Sequence, residues 1–190
     1  MIKYKDYVDK DNIEIENGEI SGYNYRYSIE IPILNSNYRK DNRLLICSMN
    51  PSKATKIQSD NTLNKLCKYA YENNYKTLTV VGILPFYETN SKDLNKFNSN
   101  EFENIIDENF NRINEKMNYV DNIIIATGNP TNKGMEKLIF RLKKLLESKN
   151  NLFCFKTNTG ELLTKRGFTV HPLYLKELVA CNLPEEYFYK

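Results

Sequence analysis

The chain has no tryptophan, one histidine (His171) and only seven glycines in 190 residues. The few glycines form no Walker loop and no Gly-x-Ser-x-Gly elbow, and the lone histidine leaves no His-Glu-x-x-His zinc helix, so several common enzyme classes are excluded. The four cysteines, Cys47, Cys67, Cys154 and Cys181, form no Cys-x-x-Cys pair and match no zinc or iron–sulfur spacing. Cys47, Cys67 and Cys154 lie in apolar patterns and read as buried free thiols, which suits a reducing cytoplasm. No apolar run approaches the roughly 20 residues that span a bilayer, and charges from Lys3 onward leave no signal-peptide core. A cytoplasmic protein without a membrane partner is therefore expected. The net charge of +3 is too small for a protein that coats DNA, but it allows a local basic patch.

Hydrophobic residues make up 41% of the chain and charged residues 27%, as in a globular protein. The length suits one domain, residues 1–190, with an N-terminal β extension over 1–42, an α/β core over 43–181 and a tail over 182–190. In the extension, Asn17-Gly18 between Ile15 and Ile20 signals a type I′ hairpin turn. Tyr23, Tyr25 and Tyr27 alternate with Asn24, Arg26 and Ser28, and Ile29, Ile31 and Ile33 extend the strand pattern. Residues 35–42 read as a polar loop.

From Leu44 the pattern becomes βαβα. Residues 44–49 form a buried strand, and Asp60 caps a helix carrying Leu63, Leu66, Cys67 and Ala70 on one face. Residues 78–84 form a second strand, stopped by Pro85 and followed by a polar loop to Asn100. A helical stripe runs from Phe102 to Met117, a third strand covers 122–127, and Thr131 caps a further helix bearing Met135, Ile139 and Leu142. A fourth strand covers 152–155, and a short helix is expected near 175–181. Alternation of this kind predicts an α/β fold, a three-layer α/β/α sandwich around a mostly parallel sheet of about four strands. The turns after the strands then gather along one edge, where open α/β sheets bind ligands.

Four segments meet at that edge. Asn50 closes the first strand, flanked by Met49, Pro51 and Ser52; its carboxamide can hold a water or a ligand, or it is an ordinary turn residue before proline. His171 precedes Pro172, which fixes the backbone; a neutral imidazole there can donate to a developing oxyanion, or the ring is simply packed. Phe86 and Tyr87 either stack on a base or form a hydrophobic lid. Gly128-Asn129 either lets a ligand approach the backbone or makes a tight turn. Lys53, Lys133 and Lys165 lie near the expected mouth and can meet phosphates, although most basic residues read as solvated faces. No acidic pair has a spacing that marks general acid–base work, and nothing requires a metal or other cofactor.

Tyr25-Arg26-Tyr27-Ser28, Asn50-Pro51-Ser52-Lys53-Ala54, Asp60-Asn61-Thr62, Asn90-Ser91-Lys92-Asp93-Leu94, Gly128-Asn129 and His171-Pro172-Leu173-Tyr174-Leu175 follow one another in this order. The set resembles an uncharacterised bacterial and phage family known only as a domain of unknown function, over about residues 23–176. Its layout is in turn similar to the uracil-DNA glycosylase superfamily, in which a first-strand Asn-Pro or Asp-Pro turn positions the attacking water and a late His-Pro segment contacts the base. Asn50-Pro51 and His171-Pro172 match those two motifs, and Ala126-Thr127-Gly128 looks like the third-strand turn. Ser52 stands in place of glycine, Gly82 near the place of the base-reading asparagine, and Leu173-Tyr174 in place of Ser-Pro.

The resemblance implies a uracil-DNA-glycosylase-like fold and an N-glycosidase acting on a nucleobase in DNA or a nucleotide. Asn50 would orient water and His171 would stabilise the leaving base. Met49, Pro51, Ser52, Lys53, Phe86, Tyr87, Gly128, Asn129, Pro172 and Tyr174 would bind substrate. A non-catalytic reader of nucleotides or modified nucleic acid is the alternative. A phage–host conflict factor that binds a protein through its tyrosine-rich N-terminal sheet is a third.

Overall fold

Successive side chains of a strand point to opposite faces of its sheet, and the strand Arg43–Ser48 (β3) is apolar on both. Leu44 and Ile46 join one buried cluster, while Leu45 and Cys47 join a second. A strand with no polar face is stable only at the centre of a sheet covered on both sides, and that is where β3 lies. The computed structural model describes residues 2–34, 42–87 and 100–189.

Among these residues seven strands form one mixed sheet. β1 (Glu14–Ile20) and β2 (Tyr23–Pro32) make an antiparallel hairpin, and β2 pairs antiparallel with β4 (Thr77–Gly82). β4 pairs parallel with β3, β3 with β5 (Asn122–Ile125) and β5 with β6 (Leu152–Phe155). β7 (Ala180–Asn182) closes the far edge antiparallel to β6, giving the order β1-β2-β4-β3-β5-β6-β7. The sheet is thus larger and more mixed than the mostly parallel one of about four strands expected. The N-terminal hairpin joins it at one edge, antiparallel, through the pairing of β2 with β4.

The helix α1 (Asn61–Glu72) packs Leu63, Leu66, Cys67 and Ala70 into the cluster of Leu44 and Ile46. α2 (Asn100–Met117) and α3 (Lys133–Leu146) supply Phe110, Ile113, Ile139 and Leu142 to the cluster of Leu45 and Cys47 on the other face. α4 (Glu186–Tyr189) adds the fully buried Tyr187, so the segment expected as a tail completes that core. Asp60 caps α1 as expected, its Oδ1 accepting from the Leu63 N–H at 2.8 Å. Among the described residues no helix is long and apolar enough to cross a membrane.

Three local expectations are corrected. The hairpin turn is Ser21-Gly22, both with positive φ (49° and 79°) as a type I′ turn requires. Asn17-Gly18 lies inside β1, at an irregularity between Glu16 and Asn17. There the Tyr25 ring occupies the space a Gly18 side chain would need. Asn132, not Thr131, caps α3, accepting from the Met135 N–H at 2.9 Å. Residues 175–181 form no helix: Leu175 ends a 3-10 turn (Pro172–Tyr174), and residues 180–182 form β7. The motif Asn90 to Leu94 and nearly all of the loop expected over residues 35–42 lie outside the described residues.

Candidate functional site

The parallel ladder continues past the ends of β3 and β4, where Ile83 N–H donates to Ser48 O (3.0 Å) and Leu84 N–H to Met49 O (2.8 Å). The Asn50-Pro51 turn therefore leaves the sheet at its carboxyl edge with its backbone already fixed. Ser48 Oγ anchors it further, donating to Val81 O at 2.9 Å. Pro51 packs on Gly82, where an added Cβ would stand 2.9 Å from Pro51 Cδ and Pro51 N. Gly82 is thus glycine because the turn leaves no room for a side chain.

The His171 segment is held from three sides. Lys65 of α1 donates through Nζ to Leu175 O (2.8 Å) and Leu173 O (3.2 Å). The Thr127 N–H donates to the buried hydroxyl of Thr169 (3.2 Å). Gly128, at φ 72°, lies against His171, where an added Cβ would come within 3.1 Å of His171 Cβ. His171 Nδ1 accepts from the Leu173 N–H at 3.2 Å. Burial lowers the pKa of the ring, and the charge of Asp60 offsets part of that. The neutral ring with Nδ1 as acceptor carries its proton on Nε2, leaving one N–H donor.

The two segments face one cavity of about 180 Å³ between β2, the end of β3 and the start of α1. Its polar wall is Arg26, Ser48, Asn50, Ser52, Thr62 and His171, and its apolar floor includes Ile46, Val80 and Leu66. This is smaller than the roughly 300–1,000 Å³ pockets of drug-sized ligands, and it suits a single ring or a group of that size. Asn50 is half-buried, and among the described residues its carboxamide has no hydrogen-bond partner in the protein. Among the described residues the amide has both functions available and the neutral imidazole one N–H, and together they can hold water and a carbonyl edge.

Of the residues expected to bind substrate, Pro51, Ser52 and Pro172 line this cavity with Asn50 and His171. The others do not. Met49 is buried in the core on the opposite face. Phe86 is fully buried there, edge-on to Tyr25 and Phe102, with no face open to a base. Tyr87 lines a shallower neighbouring groove with Ile15, Thr55, Lys56 and Ile57. Lys53 is exposed outside the cavity, Asn129 Oδ1 accepts from Thr164 Oγ1 (2.7 Å), and Tyr174 is 73% exposed with its ring edge-on to His171. Gly128 touches His171 and is absent from the cavity wall.

The sequence reading missed Arg26. It is only 2% exposed, its Nη1 donates to Ala54 O at 2.9 Å, and its guanidinium lies 5.6 Å from the Tyr87 ring centre. In the sequence it stands only as one of the residues alternating with Tyr23, Tyr25 and Tyr27. The pairing shifts at this point, Glu16 facing Ser28 and Asn17 facing Arg26, so simple alternation does not carry across it. Among the described residues no three His, Cys, Asp or Glu side chains group so as to hold a metal ion.

A family model described as a protein of unknown function (DUF1643) matches residues 26–173. No curated protein and no solved structure matches the chain.

Proposed function

The chain belongs to the DUF1643 family, whose function is unknown, and on that premise we propose that it is a nucleobase N-glycosidase-like hydrolase acting on DNA or a nucleotide. The observation that carries this reading is the convergence of Asn50 and His171, 121 positions apart by their numbers, on one cavity the size of a single ring. The similarity of the Asn50-Pro51 and His171-Pro172 turns to those of the uracil-DNA glycosylase superfamily supports it. Ser52 and Gly82 depart from that pattern, so the proposed base is not uracil by default.

In this mechanism a base is turned out of its stack into the cavity. The C1′–N bond breaks and its electron pair leaves with the base. Positive charge builds on the sugar, and water held by the Asn50 carboxamide adds its oxygen to C1′. The water proton passes to the departing base or to solvent. His171 donates its Nε2–H to the base oxygen where negative charge develops, an interaction stronger in the transition state than in the ground state. An amide is a poor proton acceptor, so leaving-group stabilisation carries most of the rate.

The test is incubation with oligonucleotides and nucleotides bearing normal, deaminated and hypermodified bases, followed by assay for abasic sites and free base. The reading expects release from one class of base, lost in Asn50→Ala and His171→Ala. A second reading, a non-catalytic reader using the same cavity, is favoured by one observation: among the described residues the cavity wall has no carboxylate. It expects tight binding without release, lost in the same variants.

A further inference from the structure

The proposed reaction makes no use of Arg26, the most deeply buried polar side chain of the cavity wall. A buried cation is costly unless it is paired. Among the described residues this one makes no ion pair with a carboxylate. Its protein partners are the neutral carbonyl of Ala54 and the Tyr87 side chain, which meets it through both a hydrogen bond and the ring face. Burial pulls its pKa down, with Tyr87, Tyr4 and the charge of Asp60 pushing back. Asp60 lies outside the cavity wall, its Oδ1 taken by the Leu63 N–H and its Oδ2 buried without a hydrogen-bond partner, so it reaches Arg26 through its charge and not through a contact. The bonds to Ala54 and Tyr87 use two of the five N–H donors a guanidinium carries. The same wall carries the hydroxyl residues Ser48, Ser52 and Thr62. It also carries the apolar side chains of Ile46, Val80 and Leu66.

We propose that this cavity takes a single-ring organic anion, the ring lying on the apolar floor and a negatively charged oxygen accepting from the Arg26 guanidinium. A bare phosphate would gain nothing from the floor, and a neutral ring would leave the cation with no anion in direct contact. The assignment rests on the reading of this cavity as the ligand site. A base that leaves with negative charge is one member of the class, but the charge need not come from a reaction.

Benzoate and benzamide share size and shape and differ in charge, so they separate the two contributions without knowledge of the natural ligand. Each is titrated into the full chain by calorimetry, and its location is read from amide and side-chain NMR shifts around Asn50 and His171. Benzoate binds at least about tenfold more tightly than benzamide, as a charge-assisted hydrogen bond requires. Arg26→Lys retains a preference and Arg26→Gln abolishes it. Circular dichroism and melting temperature show whether each variant is folded; the wild-type comparison stands without them. Equal affinities for benzoate and benzamide, no binding of either at millimolar concentration, or tighter binding of inorganic phosphate than of benzoate would overturn the assignment. Failure of every oligonucleotide to release a base would end the proposed reaction and leave this result untouched.

Discussion

Gly128 and His171 are packed so closely that a Cβ on the glycine would stand 3.1 Å from the Cβ of the histidine. The contact joins the end of β5 to the segment bearing the only imidazole, and it sets how far that ring reaches over the cavity. Gly128 also has a φ of 72°, which side chains disfavour. Gly128→Ala therefore combines backbone strain of about 1–3 kcal/mol with displacement of His171. Denaturant titration should show a loss of that order. Base release or ligand binding should fall by about tenfold to a hundredfold, since misplacement of about 1 Å is that costly. A variant destabilised as expected but fully active would separate His171 from function.

Gly82→Ala tests the other side of the cavity. The new methyl would meet Pro51 N, Pro51 Cδ and Leu84 O, all at 2.9 Å, and backbone cannot yield as a flexible side chain does. Overpacking of this kind costs about 1–3 kcal/mol. The Asn50 turn should move with Pro51, so ligand affinity should drop together with the melting temperature. An unchanged melting temperature would contradict the packing described.

Acid should weaken the fold through His171. Burial holds its folded-state pKa below the ordinary value, so below a pH of about 6.5 the unfolded chain binds a proton that the folded chain resists. Stability from this residue is complete above that pH and is lost as the pH falls toward the folded-state pKa. Urea titrations at about pH 7.5 and about pH 5 should show a larger drop for wild type than for His171→Asn. Equal drops would mean that the ring is solvated.

Thiol chemistry should single out one cysteine. Burial pushes the thiols of Cys47, Cys67 and Cys154 up to about 12, whereas Cys181 on the edge strand β7 is partly exposed. A thiolate is the reactive form, so a disulfide reagent at about pH 8 should label Cys181 alone in the native state and all four cysteines in denaturant. Mass spectrometry identifies the labelled residue. Rapid native labelling of Cys47 or Cys67 would contradict the core as described.

The parts of the fold written in strong periodicities were legible. The apolar run that became β3, the Asp60 cap and the stripes of α1, α2 and α3 needed only pattern. Asn50 and His171 could be brought together because parallel strands send their ends to one edge. Features decided by tertiary contact were not legible. Asn17-Gly18 has turn chemistry, but Tyr25 takes the space above Gly18 and moves the turn to Ser21-Gly22. β7 is short, and Ala180-Cys181-Asn182 has no β-branched residue to mark it. Phe86 looked available for stacking because it follows a strand end, yet Tyr25 and Phe102 enclose it. Arg26 was not singled out because alternation shows which residues share a face but not whether that face meets water.

A double-mutant cycle on Asn50→Ala and His171→Ala, read out as base release from the most active oligonucleotide or nucleotide, tests the central claim most directly. Two groups acting on one ligand should each lower the rate by about a hundredfold or more, with the double variant little worse than the weaker single variant. Both single variants releasing base at the wild-type rate, or no release by the wild type from any base class, would contradict the account.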